Sequence, residues 1–190
     1  MLDDFWKREF GESPKIAHLL RSSFAARWVR FHSFSDCQRY PNDDAELQSA
    51  LDRHNTILSS LSNPDSQLYI LTTSYSPDVS DATPDKLVLE TGLNAELWCS
   101  EPMHEIQSDS EPNYWHIFRS SIKWNLHAAD GLLKLVVNDR IGNVMILDPT
   151  KSWLYHPYDG GADVIHESTS KREILGRSHE SWLSPRSDGM

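Results

Sequence analysis

Cysteine is nearly absent: Cys37 and Cys99 are the only two in 190 residues, in no CxxC pair and no His/Cys cluster. That scarcity argues against a disulfide framework and a thiolate metal site, and predicts two reduced, partly buried thiols. Long apolar runs are lacking as well. None approaches the roughly 18 to 20 residues of a membrane helix, so no membrane span is expected. Basic residues are the minority charge, 18 against 28 acidic, for a formal net charge of −10. Such a balance repels phosphate backbones, which argues against a general nucleic-acid binder, and suits a basic protein partner. The opening "MLDDFWKREF" is acidic and has no apolar block before a cleavage site, so no signal peptide is read and a cytoplasmic location is expected. A Gly-rich phosphate loop, HExxH and GxSxG are all missing, so no cofactor and no metal is implied.

What is present suffices for one folded unit. With 38% hydrophobic and 24% charged residues, the chain reads as a single α+β domain over 1–190, with a flexible polar tail at about 185–190. Leu2, Phe5, Trp6 and Phe10 recur at helical spacing, and "GESPK" breaks the pattern before a further helical turn at 16–20. "WVRFH" reads as a strand with Arg30 and His32 on one face, Val29 and Phe31 on the other. The clearest helix spans about 43–62: Asp43 or Asn42 caps it, and Leu47, Leu51, His54, Leu58 and Leu61 form one stripe.

"QLYILTTSY" is a strand, and "KLVLETGLNAELWCS" reads as two short strands hinged at Gly92 and Asn94. An exposed acidic loop is expected at about 100–113, then the aromatic strand "NYWHIFRSSIKWN". A second helix is placed at about 128–141 and a C-terminal one at about 168–184, with Ile174, Leu175, Ser178 and Trp182 along one face. Between them lie three strands, "NVMILDP", "KSWLYHPY" and "GADVIHE", joined by tight turns. Strands in groups, without regular βαβ alternation, predict a mostly antiparallel sheet packed on the three longer helices. Most of Trp28, Trp98, Trp115, Trp124, Trp153 and Trp182 are expected inside.

Three clusters carry candidate chemistry. Arg30, His32, Arg39 and Tyr40 could grip a carboxylate or phosphate, because guanidinium offers a planar fork of donors; salt bridging to the chain's own acids is the competing reading. His54 lies mid-stripe, where a core histidine bonded to the facing sheet is favoured over a functional one. His156, Tyr158, Asp159, Asp163 and His166 flank the double glycine of "HPYDGGADVI". Imidazole and carboxylate are ordinary metal ligands, but alternating strand faces keep these groups from pointing inward together. A tight turn with Gly160 and Gly161 at positive φ, pinned by carboxylates, is the expectation.

This hairpin, followed by a helix ending in "SWL", resembles the C-terminal region of a bacterial family of unknown function with the pattern Tyr-Asp-Asp-Arg-Gly-Met/Leu-Asp-Val/Ile-Ile and a closing Asn-Asp-Trp. Tyr158, Asp159, Gly161, Asp163, Ile165 and Trp182 match, while Gly160 replaces an Asp and the intervening Arg is missing, which shortens the turn by one residue. "FWKREFG" and "WVRFHS" are similar to that family's N-terminal helix and first strand, and "RFHS", "QRY" and "RHNT" to motifs of a closer subgroup. The resemblance implies one α+β domain and carries no established activity.

Two functional expectations follow. The first is a non-enzymatic factor of immunity or accessory type that binds a basic protein. The alternative is a small enzyme or binding protein for an anionic small molecule or nucleotide. In it Arg30, Arg39 and Tyr40 hold the substrate, His32 or His54 acts as acid or base, and Asp159 or Asp163 orients the imidazole. That alternative requires these residues to converge in one cleft.

Overall fold

A computed structural model describes residues 2–34, 38–103, 113–184, 186 and 189. Its seven strands are β1 (Trp28–His32), β2 (Gln67–Ser76), β3 (Glu96–Pro102), β4 (Tyr114–Lys123), β5 (Met145–Asp148), β6 (Trp153–Tyr158) and β7 (Gly161–Ile165). They form one sheet in the order β1-β7-β6-β5-β2-β4-β3, and every neighbouring pair is antiparallel. The helices are α1 (Leu2–Phe10), α2 (Ala17–Ser23), α3 (Asp44–Leu61), α4 (Lys86–Glu90), α5 (Asp130–Val137) and α6 (Thr169–Ser178), with a 3-10 turn at Glu180–Trp182. The fold is α+β, as the grouping of strands predicts.

Period-2 alternation divides the sheet between two cores. Val29, Phe31, Ile70, Ile146, Tyr155 and Val164 face α3, α5 and α6, which bring Leu51, Leu58, Leu133 and Leu175 to the same cluster. Leu71, Ile117, Met145, Leu147, Leu154 and Ile165 face the N-terminal side, where Leu2, Phe5, Trp6 and Phe10 of α1 and Leu20 of α2 cover them. The sheet is therefore buried on both faces, and β5 and β7 are buried at every position. Trp124 and Trp153 are fully inside, but Trp28, Trp98, Trp115 and Trp182 are only half-buried and line the rims of these cores.

Asp43 caps α3 by accepting from the Glu46 amide, and Leu51, His54, Leu58 and Leu61 are buried as the stripe requires. The segment 86–90 is a helical turn rather than a strand. Asp85 Oδ1 accepts from Leu87 N at 2.8 Å, and Val88 alone of that turn reaches the core, a pattern that a short apolar run cannot distinguish from a strand. The C-terminal helix ends at Ser178, earlier than its periodicity suggests, and it buries Leu175 while Ile174 stays exposed. Glu101 belongs to β3 and pairs with Lys15 at 2.7 Å, so it is not part of an exposed loop. The remainder of that loop, 104–112, lies outside the described residues, as do Cys37 and positions 185, 187, 188 and 190 of the tail. Cys99 is a free thiol whose pKa burial pushes up to about 11, which keeps it protonated.

The glycines of the β6–β7 turn depart from expectation. Neither Gly160 nor Gly161 has a positive φ. Gly161 is required by proximity instead: it pairs with His32 across β1 and β7, and a Cβ there would sit 2.1 Å from the Phe31 carbonyl oxygen. Gly160 leaves ordinary contact distance, with 3.7 Å to its nearest neighbour. Gly161→Ala is expected to destabilise the protein by about 3 kcal/mol, against about 0.5 kcal/mol or less for Gly160→Ala. Urea unfolding of the two variants decides this, and equal midpoints would contradict the assignment.

Candidate functional site

β1 and β7 stand side by side, which places Arg30 directly opposite Asp163. Both side chains point to the N-terminal face, and the guanidinium grips the carboxylate with two bonds, Nε to Oδ1 at 2.8 Å and Nη2 to Oδ2 at 3.0 Å. Two rings hold the guanidinium: its carbon lies 5.4 Å from the Trp28 ring centroid and 5.2 Å from that of Tyr158. The pair is largely withdrawn from solvent, with side chains 14% and 7% exposed. Burial opposes the charge on Arg30, but the carboxylate more than offsets it and its pKa moves up.

His156 is buried on the same face and uses Nδ1–H to donate to the Val144 carbonyl at 2.8 Å. Burial holds that imidazole below its ordinary value, and therefore neutral at pH 7. His32 points the same way. Its pKa is lowered by burial and then by the neighbouring Arg30, and its Nε2 has no partner among the described residues. The Tyr158 hydroxyl is buried without a hydrogen-bond partner among the described residues, and desolvation raises its pKa far above the usual phenol value. At the turn itself Asp159 Oδ1 accepts from Gly160 N at 3.0 Å, and Oδ2 pairs with Arg39 Nη2 at 2.6 Å. Asp159 thus pins the turn as expected, whereas Asp163 is committed to Arg30.

Two of the candidate residues stand apart. His54 is on the opposite sheet face, wholly buried, with Nδ1 hydrogen-bonded to the Tyr155 hydroxyl and Nε2 at 3.4 Å from Ser33 Oγ. It is a core histidine bonded to the facing sheet, on the opposite face from Arg30. Tyr40 is exposed; Arg39 lies over its ring, and its hydroxyl donates to Asp139 Oδ2 at 3.2 Å rather than to a hairpin group. His166 follows β7 and accepts from Glu167 N through Nδ1. Among the described residues no three His, Cys, Asp or Glu groups are placed to hold a metal ion.

Arg30, His32, His156, Tyr158 and Asp163 therefore do converge, but upon one another. An anion approaching Arg30 would have to displace a carboxylate that makes two charge-assisted bonds in a partly buried setting.

A separate cleft of about 570 Å³ opens where β2 ends, and sequence reasoning passed over it. Tyr75 and Trp115, paired across β2 and β4, form one wall with ring centroids 5.8 Å apart. The other wall is the α5–β5 connection, where Asp139 and Asn143 turn the chain at φ 53° and 50° and present Arg140. Asn143 Oδ1 accepts from Ala17 N at 2.8 Å, supplying α2 with the cap that its preceding residue, Ile16, cannot give. Asp85 completes the rim. The available signals were "SPDVSDATPD" after a strand and "NDRIGN" after a helix, loops rich in polar turn residues.

The class this architecture defines is an α+β protein with one seven-stranded antiparallel sheet, helices on both faces and a hairpin locked to its first strand. The chain belongs to the family described as domain of unknown function DUF3885, whose model matches residues 16–187. No curated protein and no solved structure matches it. Among the described residues no helix is long and apolar enough to cross a membrane.

Two outcomes test this geometry. Asp163→Ala should cost about 3 kcal/mol by removing the carboxylate that answers the partly buried Arg30 charge, while the joint change Arg30→Met with Asp163→Leu should recover most of that loss in chemical denaturation. His54 sets a pH dependence. Burial lowers its pKa from 6.5 to about 4, so its contribution to stability is complete above about pH 6.5 and is lost as pH falls towards 4, by about 3 kcal/mol in all. Its ring resonances should not titrate above about pH 5, and His54→Gln should flatten the stability profile over that window.

Proposed function

We propose that this protein is a non-catalytic binding factor whose partner is a basic protein surface. One observation carries the reading. The loop after β2 folds back on the strand, held by Ser74 Oγ to Thr83 O and Ser76 Oγ to Asp78 O, both at 2.6 Å. It sets the carboxylates of Asp78 and Asp81 beside two exposed anchors, Tyr75 at 68% and Val79 at 51% exposure. A tyrosine and an aliphatic residue inside an acidic rim match the anatomy of a docking patch: apolar contacts supply affinity and the rim selects a partner of opposite charge.

The remaining groups support the same reading. Of the groups that acid–base chemistry would require, Arg30 and Arg39 are paired with Asp163 and Asp159, His156 donates to a backbone carbonyl and His54 lies across the sheet, which leaves His32 Nε2 without a partner among the described residues. The net charge of −10 favours capture of a cation-rich surface at low salt.

Recovery of the tagged protein from its native cells at low salt should bring one basic protein in stoichiometric amount. The joint change Tyr75→Ala with Val79→Ser should weaken that binding about tenfold or more. Recovery of the protein alone overturns the reading, and so does a partner that binds the double variant as well as the wild type.

A further inference from the structure

The loop after β2 is tied to one histidine. His116 of β4 is wholly buried and stands directly opposite Ser74 of β2 on one side and Ser100 of β3 on the other. Both ring nitrogens are engaged, Nε2 with Ser76 Oγ and Nδ1 with Ser100 Oγ, each at 2.8 Å. Tyr114 stacks on the ring, with centroids 6.4 Å apart and planes 22° from parallel. Ser74 and Ser76, the two hydroxyls that hold the loop to β2, therefore lie beside His116 on the same sheet face.

The hydrogen-bond pattern fixes where the ring carries its hydrogen. Ser76 has one hydroxyl hydrogen and gives it to the Asp78 carbonyl at 2.6 Å, so toward His116 it can only accept. The ring hydrogen is therefore on Nε2, and Nδ1 is a bare acceptor to which Ser100 donates. Donation runs one way, from Ser100 through His116 and Ser76 to Asp78 in the docking loop. A second proton has only Nδ1 to go to, where it must turn the Ser100 bond round and make the ring a cation in a buried place. Few groups face that charge among the described residues. β2 and β3 present the hydroxyls of Ser74, Ser76 and Ser100, and β4 presents Tyr114. From the loop come the attraction of Asp81 and the carbonyl of Asp78, whose carboxylate takes the Ser80 N–H and hydroxyl. Glu101 alternates to the other sheet face and pairs with Lys15. Among the described residues no carboxylate lies within ion-pair reach of the ring, and burial outweighs Asp81, holding the imidazole below its ordinary value of 6.5.

We propose that His116 is a proton-operated latch on the docking loop: the neutral ring holds the loop closed, and a second proton on Nδ1 releases it. The closed loop binds that proton less readily than the open one, in which the ring reaches water. Closure is therefore fully favoured above about pH 6.5 and weakens as pH falls below it. In the open loop Asp78, Val79 and Asp81 no longer stand together, so a basic partner is held near neutral pH and let go in acid. The latch rests on the docking reading and adds its regulation.

Hydrogen exchange of the labelled full chain reads the latch without a partner. The Ser80 and Asp81 amides bond within the loop, to Asp78 Oδ1 and to the Asp78 carbonyl. Relative to their intrinsic exchange rates, they should open about threefold more often at about pH 5.5 than at about pH 7.5. The Thr91 and Gly92 amides, which close the turn after α4, should stay constant. His116→Gln keeps one donor and one acceptor but does not titrate, so it should remove the pH dependence. Ring nitrogen spectra of the wild type should show the hydrogen on Nε2 at neutral pH and the second proton reaching Nδ1 only in acid.

Loop amides that open equally at both pH values, a ring hydrogen found on Nδ1 at neutral pH, or an unchanged pH response in His116→Gln overturns the latch. A cellular partner that is lost on Tyr75→Ala with Val79→Ser, while the loop amides ignore pH, removes the latch and leaves the docking reading standing. A pH-responsive loop in a protein recovered from its cells alone removes the docking reading and keeps the latch. Where both hold, partner binding should weaken about threefold over the same interval in the wild type, and less in His116→Gln.

Discussion

The close contact between β1 and β7 is the constraint on which the rest of the structure depends. At Gly161 the two backbones approach so near that no side chain fits. Two residues further along the pair, Arg30 and Asp163 close the same contact with a bidentate ion pair. Strand pairing has period 2, so a slip of one residue would turn Arg30 into the apolar core and Phe31 out of it. The glycine and the ion pair both select the observed register, one through space and the other through charge. Because β1 is the edge strand of this order, that register also fixes where α2 and α3, attached on either side of it, meet the sheet.

This lock explains why the most charged part of the hairpin is also among its most buried. β7 has no exposed position, yet carries Asp163, and β6 brings His156 and Tyr158 into the same neighbourhood. Most of the polar groups there are answered, the carboxylate by a guanidinium, the imidazole of His156 by a carbonyl, the turn carboxylate by an amide and Arg39, whereas the Tyr158 hydroxyl has no partner among the described residues. Buried pairs of this kind contribute more to selecting one arrangement than to net stability, since desolvation opposes much of the Coulomb attraction. The histidine on the other face is handled differently. His54 is kept neutral by burial and satisfied by the Tyr155 hydroxyl.

Binding groups gather instead where the sheet ends. β2 and β4 are the longest strands, and at their paired end Tyr75 reaches solvent while Trp115 packs at the rim of the N-terminal core. Loops from three parts of the chain meet those rings: Asp85 before α4, Asp139 to Asn143 after α5, and His18 on α2. Asn143 ties two of these parts together by capping α2, so the cleft wall and the covering helix are coupled through one side chain. A surface assembled this way is rigid at its base and variable at its rim, which suits selective recognition.

Much of the fold was legible from residue patterns because the relevant physics is local. Period 3.6 placed α1, α3 and α5, period 2 placed the strands, and Asp43 marked a helix start, since capping and amphipathic burial act within a few residues. The segment 86–90 was misread because five residues do not separate the two periods. The double glycine was rightly placed in a tight turn, but its reason lies in Phe31, 130 residues away in sequence, which no local pattern reports. Composition, charge and the candidate Arg, His and Asp residues were thus determined by the chain alone. Which of them are spent on each other, that His54 lies on the far face from Arg30, and that Tyr75, Asp85, Asp139 and Asn143 share a cleft were decided only in three dimensions. Strand order and helix placement set those distances, and both follow from burial summed over the whole chain.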